Sequence, residues 1–222
     1  MQGYYSNDRP ELVPFIPEKL VRALDVGCGE GAFGAHIKAS RGCEVWGIEP
    51  VASAADSARA RLDRVLAEPI ESAMAKLPDG HFDGVFFNDV LEHLADPEAA
   101  LRALRPKLAP GATLIVSIPN VRYFPNLRDL LVRQDWKYTD AGVLDRTHVR
   151  FFTDRSARRM IESCGYEIAR AKGINGLPLW KILPWIVLSG GALRDTRYLQ
   201  FAYELRLVAG IGDDPFREVT AR

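Results

Sequence analysis

Leu24-Asp-Val-Gly-Cys-Gly-Glu-Gly31 governs how the rest of the chain is read. Val21-Arg-Ala-Leu-Asp-Val26 is a short apolar run ending in a glycine cluster, the pattern of a buried strand, and Ala32 to Ser40 can form a helix. The glycines therefore sit where a strand turns into a helix. Glycine there permits positive φ and lets a ligand approach the backbone without meeting a Cβ.

Outward from that loop, strand and helix signals alternate. Glu44 to Ile48 reads as a second strand, Val51 to Arg61 as a helix, Asp63 to Ala67 as a third strand, and Phe82 to Phe87 as a fourth. Asp96 is a good N-cap, Pro97 suits the first helical position, and Leu101, Leu104 and Leu108 form one apolar stripe that Pro110-Gly111 stops. Thr113 to Ser117 is a fifth strand, Pro119 to Arg150 a longer irregular region, Thr153 to Ser163 a helix, Tyr166 to Ala171 a strand, and Gln200 to Val208 the final strand. Repeated strand–helix–strand units predict a single α/β domain over 1–222, a Rossmann-like, doubly wound sheet with helices on both faces. Ligands of such sheets bind at the carboxyl ends of the strands, beside the point where strand order reverses.

Hydrophobic residues make up 47% of the chain and charged residues 26%, enough to bury a core. Lys plus Arg number 29, as do Asp plus Glu, so no global field draws the protein to nucleic acid. Cys28, Cys43 and Cys164 form no CxxC pair, which argues against a disulfide frame or structural zinc site. The start lacks the basic and apolar regions of a signal peptide. The longest apolar run, Leu177 to Leu188, is interrupted by Pro178, Lys181 and Pro184 and is too short for a membrane span. A cytoplasmic location is expected.

The glycine loop admits two readings. Gly29-Glu-Gly-Ala-Phe-Gly34 is a literal G-x-G-x-x-G, and Glu49 stands where an acid would bind ribose hydroxyls, so an NAD(P)-dependent oxidoreductase is the alternative enzyme. Asp25 argues the other way, because a carboxylate at the strand end would repel a pyrophosphate and suits a ligand with positive groups and no phosphate.

Leu24 to Gly31, Trp46-Gly-Ile-Glu-Pro50 and Phe82-Asp-Gly-Val-Phe-Phe-Asn-Asp-Val-Leu-Glu-His93, in that order, resemble class I S-adenosylmethionine-dependent methyltransferases over roughly residues 20 to 173. Leu108 to Val116 and Leu144-Asp-Arg-Thr-His-Val-Arg-Phe-Phe-Thr153 look like a bacterial branch that acts on small molecules and cell-envelope sugars. The resemblance implies a mostly parallel seven-stranded sheet with an antiparallel last strand, and S-adenosylmethionine as cofactor. Gly27, Gly29 and Gly31 would line its amino-acid end with Asp25 near the ammonium, Glu49 would hold the ribose, Pro50 and Val51 the adenine, and Glu68 the adenine amino group. Asn88 and Asp89 would flank the methionine part and the acceptor mouth. Cys28, Phe33, Pro69, Ile70, Val90 and His93 complete the expected cofactor shell. Plainer readings stand beside these: a tight glycine turn, a solvated Glu49, an Asp89 that only caps a turn, a Cys28 tucked behind the loop.

An activated sulfonium methyl mainly needs donor and acceptor held in line, and a hydroxyl acceptor benefits from a base. His148 is the base candidate, with Asp89 beside the acceptor; the competing role for His148 is to bond a backbone carbonyl and order the long loop. His36 and His81 read as surface positions, and four scattered histidines show no ligand spacing, so no metal is expected. The preferred reaction is O-methylation of a small molecule or a saccharide or lipid-linked intermediate; a cofactor-binding scaffold without activity is the non-enzymatic alternative. Residues 1–20 are expected to cover the cofactor, with Tyr4, Tyr5 and Tyr123 as aromatic lid candidates. The apolar insertion 174–197 could cap an acceptor pocket, join two copies in a homodimer, or dock peripherally on a membrane.

Overall fold

A computed structural model describes residues 9–208. Seven strands form one sheet: β1 (Arg22–Val26), β2 (Glu44–Ile48), β3 (Arg64–Leu66), β4 (Phe82–Asn88), β5 (Leu108–Pro119), β6 (Tyr166–Gly176) and β7 (Tyr198–Leu207), in the order β3-β2-β1-β4-β5-β7-β6. β7 runs antiparallel to both β5 and β6, while every other pairing is parallel, as the resemblance implied. Strand order reverses between β1 and β4, which places the ligand cleft at their carboxyl ends.

Helices α1 (Ala32–Arg41), α2 (Ala52–Arg59), α3 (Ile70–Ala73), α4 (Pro97–Leu104), α5 (Phe124–Val132), α6 (Asp154–Ser163) and α7 (Leu179–Leu188) connect the strands. Leu101 and Leu104 of α4, together with Ala157, Met160 and Ile161 of α6, bury against one face of the sheet beside Phe82, Val85 and Phe87. On the other face Phe33 and Ile37 of α1 meet Ala23, Phe86 and Ile115. That second core also takes Leu12, Phe15 and Ile16 from a 3-10 turn over Pro10–Phe15. Burying each of those large side chains contributes about 1.5–3 kcal/mol relative to exposure, which is what ties the N-terminal segment to the sheet.

Local chemistry explains the helix starts that the sequence marks. Asp96 accepts a 2.9 Å bond from the Ala99 N–H, and Thr153 and Ser156 exchange a capping box. The α4 stripe is shorter than expected. The helix ends at Leu104, ahead of Pro106, which supplies no N–H; Leu108 opens β5 opposite Phe82, and Pro110-Gly111 lies within that strand element rather than stopping a helix. The region read as irregular holds α5, and β6 runs on to Gly176, so the insertion proper begins after the strand. Among the described residues no helix is long and apolar enough to cross a membrane. His81 is not a surface residue: its ring is wedged against Trp46 and Phe82 with centroids 5.2 and 4.9 Å away, and its Nδ1 lies 3.3 Å from Arg22 Nη1.

Candidate active site

At the switch point the chain turns back from β1 to the end of β2. The Gly27 and Cys28 N–H groups both donate to the Ile48 carbonyl, at 2.8 and 3.0 Å. Gly27 takes φ +68°, and a Cβ there would meet Val90 Cγ2 at 2.6 Å, so glycine is required twice over. Glu49, 4% exposed, accepts from the Gly29 N–H at one oxygen and the Val51 N–H at the other, both at 2.9 Å. It thereby staples the glycine loop to β2, and its carboxylate keeps lone pairs for further donors such as ribose hydroxyls.

Two buried acceptor atoms on the strands that flank the switch point, Asp25 Oδ2 and Asn88 Oδ1, have no hydrogen-bond partner among the described residues. They stand at the ends of the paired strands β1 and β4. An orphaned buried oxygen is costly unless a ligand satisfies it. Burial pushes the Asp25 carboxyl up to about 7, with the Glu49 charge adding and the Gly34 N–H and Arg9 opposing. A ligand that brings an ammonium would satisfy Asp25 and reverse that shift, whereas a pyrophosphate would aggravate it. The residues therefore fit S-adenosylmethionine and argue against the oxidoreductase.

The other expected cofactor residues divide. Pro50 and Val51 are exposed at the rim, Val90 is half-buried against Gly27, and Pro69 is exposed ahead of α3. Glu68 is held by Lys76, whose Nζ lies 2.7 Å from both carboxylate oxygens. Phe33 and Ile70 point into the two cores, where Phe33 meets Phe86 edge-on at 5.5 Å. Cys28 sits behind the loop, so close that a Cβ on Gly47 would meet its sulfur at 2.6 Å; burial, then Asp25 and Glu49, raise its thiol well above the ordinary range and leave it inert.

Beyond β4 the site is assembled from distant segments. Asp89, at φ +56°, accepts from Arg9 Nη1 at 2.5 Å, Gln200 Nε2 at 2.6 Å and Ser117 Oγ at 2.8 Å. Its carboxylate is an anchor that joins the N-terminal turn, β5 and β7 to the end of β4. Arg9 is 8% exposed and also reaches Glu11 and Ser117. No sequence signal singles Arg9 out; only the packing of Leu12 and Phe15 behind it carries it there. Tyr123 is half-buried at the entry to α5, and Tyr4 and Tyr5 lie outside the described residues.

Asp89 and Gln200 also line a cavity of roughly 90 Å³ with Glu92, Pro119, Val143 and His148. His148, 8% exposed, has Nδ1 at 3.0 Å from the Val143 carbonyl, the loop-ordering bond weighed above. A carbonyl only accepts, so Nδ1 carries a proton, and in the neutral ring the lone pair is on Nε2. Nε2 lies 3.9 Å from Oε1 of Glu92, which is 1% exposed and has neither carboxylate oxygen hydrogen-bonded among the described residues. Burial, then the Asp89 charge, hold the Glu92 carboxyl well above the usual range. The 145–150 loop is fastened here because the Val149 and Arg150 N–H groups both donate to the Glu92 carbonyl at 3.0 Å. His93 stacks edge-on to His148 at 4.7 Å with Nδ1 3.2 Å from the Thr147 carbonyl; burial, then His148, push its pKa down. The expectation of no metal rested on spacing along the chain, and the fold brings Glu92, His93 and His148 together.

Comparison with known proteins agrees with the fold. A family model described as a methyltransferase domain matches residues 1–171. A ubiquinone biosynthesis O-methyltransferase of Psychrobacter arcticus is 30% identical over 190 residues, covering 81% of this chain and 71% of the relative. A trans-aconitate 2-methyltransferase of Methylobacterium radiotolerans is 38% identical over 112 residues, covering 50% of this chain and 43% of the relative. The chain spans about half the length of the curated relatives it matches first. In fold, it superposes on a SAM-dependent methyltransferase from Archaeoglobus fulgidus with a TM-score of 0.68 at 17% identity, covering 88% of this chain and 90% of the other. With the ordered motifs, the orphaned acceptors of the cleft and the matched domain in agreement, the chain belongs to the class I S-adenosylmethionine-dependent methyltransferase family.

Proposed function

We propose that this protein transfers the methyl group of S-adenosylmethionine to a hydroxyl oxygen of a small molecule received in the cavity between Asp89, Glu92, His148 and Gln200. The observation that carries the reading is the buried, proton-accepting face of His148 Nε2, which lines that cavity beside Glu92. A neutral amine attacks through its own lone pair once aligned, whereas a hydroxyl needs somewhere for its proton to go. Either as a base that takes this proton or as ligand to a cation that acidifies it, His148 is where a hydroxyl would be handled. In the transfer an oxygen lone pair forms the O–CH3 bond while the S–CH3 electron pair returns to sulfur, leaving a neutral thioether. Asp25 and Glu49 hold the donor's amino-acid and ribose ends, and Asn88 lies between donor and acceptor.

The names of the matched relatives support oxygen as the acceptor atom, since one methylates in ubiquinone biosynthesis. An amphiphilic or lipid-linked acceptor is favoured by one feature: α7 shows Leu179, Trp180, Leu183 and Trp185 to solvent and meets Phe124 of α5 through Trp185, 5.7 Å between centroids.

Calorimetric titration with S-adenosylmethionine, S-adenosylhomocysteine and NADH comes first, followed by methyl transfer from labelled cofactor to hydroxy acids, catechols, glycosides and prenylated phenols. Saturable binding of the two methionine ligands, no binding of NADH, and label recovered as an O-methyl ether are expected. Label recovered on nitrogen or carbon only, or binding with no transfer to any hydroxyl class, would overturn the O-methylation.

A further inference from the structure

We propose that Glu92, His93 and His148 form a binding site for one divalent cation of the zinc or manganese kind, which holds the acceptor oxygen at the floor of the cavity. The proposal rests on the reading that this cavity receives the acceptor. Its support is geometric. One ligand atom from each of the three side chains lies within 4.8 Å of the others, and the Glu92–His148 pair is already at 3.9 Å. Donors bonded at about 2.0–2.2 Å to a common ion stand on the order of 3–4 Å apart, so the group needs only a small contraction.

Glu92 is the decisive residue. A carboxyl group 1% exposed with both oxygens unpartnered among the described residues is rare in a folded protein, because each lost hydrogen bond goes uncompensated. Among the described residues Arg9 donates to Asp89, Glu11 and Ser117, and the nearest ring nitrogen, His148 Nε2, lies 3.9 Å from Glu92 with Nδ1 of that ring facing Val143. A cation would satisfy the Glu92 oxygen and the Nε2 lone pair at once. The His148 tautomer is the one a ligating histidine adopts, with its other nitrogen donating to a backbone carbonyl.

The surrounding charge also favours a cation. Asp89 and Asp145 flank the group, and Asp145, 3% exposed, accepts from both the Thr147 hydroxyl and the Thr147 N–H at its Oδ1. Three protein ligands leave coordination positions open toward the cavity, the arrangement of a catalytic rather than a structural site. A hydroxyl bound there would lose its proton to water at neutral pH, and the resulting alkoxide would attack the sulfonium methyl. His148 would then serve as a ligand and not as the base.

The test uses chelator-treated full-length protein titrated calorimetrically with ZnCl2 and, separately, MnCl2, alongside elemental analysis of protein purified without chelator. One equivalent bound is expected, with affinity about 100-fold lower in Glu92→Gln and in His148→Ala and unchanged in His36→Ala, which alters an exposed histidine. S-adenosylhomocysteine titration of the same samples shows whether each variant is folded, and it reports on the methyltransferase reading independently of the cation. Should both variants lose S-adenosylhomocysteine binding, the wild-type protein decides: pulsed electron paramagnetic resonance of its Mn2+ complex must show imidazole nitrogen coupling. Absence of saturable binding, equal binding by both folded variants, or a Mn2+ spectrum without imidazole nitrogen overturns the site. Full O-methylation by metal-free protein would return His148 to the role of base.

Discussion

The proposed cofactor side of the cleft draws Asp25, Gly27, Gly29, Gly31 and Glu49 from one strand–loop–helix–strand unit, held largely by backbone donors: the Gly27 and Cys28 N–H groups on Ile48, the Gly29 and Val51 N–H groups on Glu49. The proposed acceptor side gathers Arg9, Asp89, Glu92, Ser117, His148 and Gln200 from almost the whole described chain and ties Arg9, Asp89, Ser117 and Gln200 together through side chains. A site made of local backbone geometry can bind the same cofactor in many proteins. A site made of distant side chains can change its acceptor by altering any one segment without disturbing the loop. If the two sides are separable in this way, substitutions should sort cleanly by which ligand they affect.

The largest effect is expected at Glu49→Ala. The substitution removes both oxygens that hold the loop, leaves the Gly29 and Val51 N–H groups without their acceptor, and deletes the proposed ribose contact. Each lost bond of this kind costs about 1 kcal/mol or more, so affinity for S-adenosylhomocysteine should fall about 100-fold. Cation binding by Glu92 and His148 should persist. Calorimetric titrations with the two ligands on one sample check this, and parallel loss of both would break the separation.

A smaller effect, of the opposite kind, is expected at Arg9→Ala. Arg9 ties Asp89 to the N-terminal turn, and burial opposes its charge while Asp89 and Glu11 favour it. Asp89 would keep the Ser117 and Gln200 bonds and is partly solvated, so the loss should be about 1–2 kcal/mol of stability, well below that of a fully buried broken pair. Denaturant unfolding measures it. Cofactor affinity should change less than about threefold, since the bonds Arg9 makes, to Glu11, Asp89 and Ser117, lie outside the glycine loop and act mainly on stability; a tenfold change would show that the acceptor side props up the cofactor side.

The same contrast explains what could be read in advance. The parallel sheet, the glycine loop and Glu49 were legible because a strand that ends in glycines and an acid beyond the next strand are local patterns whose period and spacing survive in the chain. Asp96, Pro97 and Thr153 marked their helices because caps act on adjacent N–H groups. The role of Arg9, the Asp89 anchor and the meeting of Glu92 with His148 were not legible, since each depends on contacts between segments far apart in sequence. His81 was misplaced for the same reason: only the register of β1, β2 and β4 puts Trp46, Phe82 and Arg22 around it. The α4 stripe failed differently, through Pro106, a local signal that outranked the leucine period.

The smallest expected effect bears on the cofactor side alone, through Asp25. Burial holds its carboxyl at about 7, above the ordinary value, so in the cofactor-free protein it is protonated below neutrality and its contribution to stability is full at low pH and lost as pH rises through 7. A bound ammonium reverses the preference and selects the ionised form. Binding of S-adenosylmethionine should therefore strengthen with pH, by about fivefold from pH 6 to pH 7, because the fraction of ionised Asp25 grows by that factor when the pKa is 7. Above pH 7 the gain should level off. Asp25→Asn, which keeps the shape and removes the titration, should bind more weakly and with no such slope. Affinities measured by calorimetry across pH 5.5–8 test the sign as well as the size. A slope that survives in Asp25→Asn would move the titrating group to the Asp89–Glu92 side and tie together the two regions that the geometry holds apart.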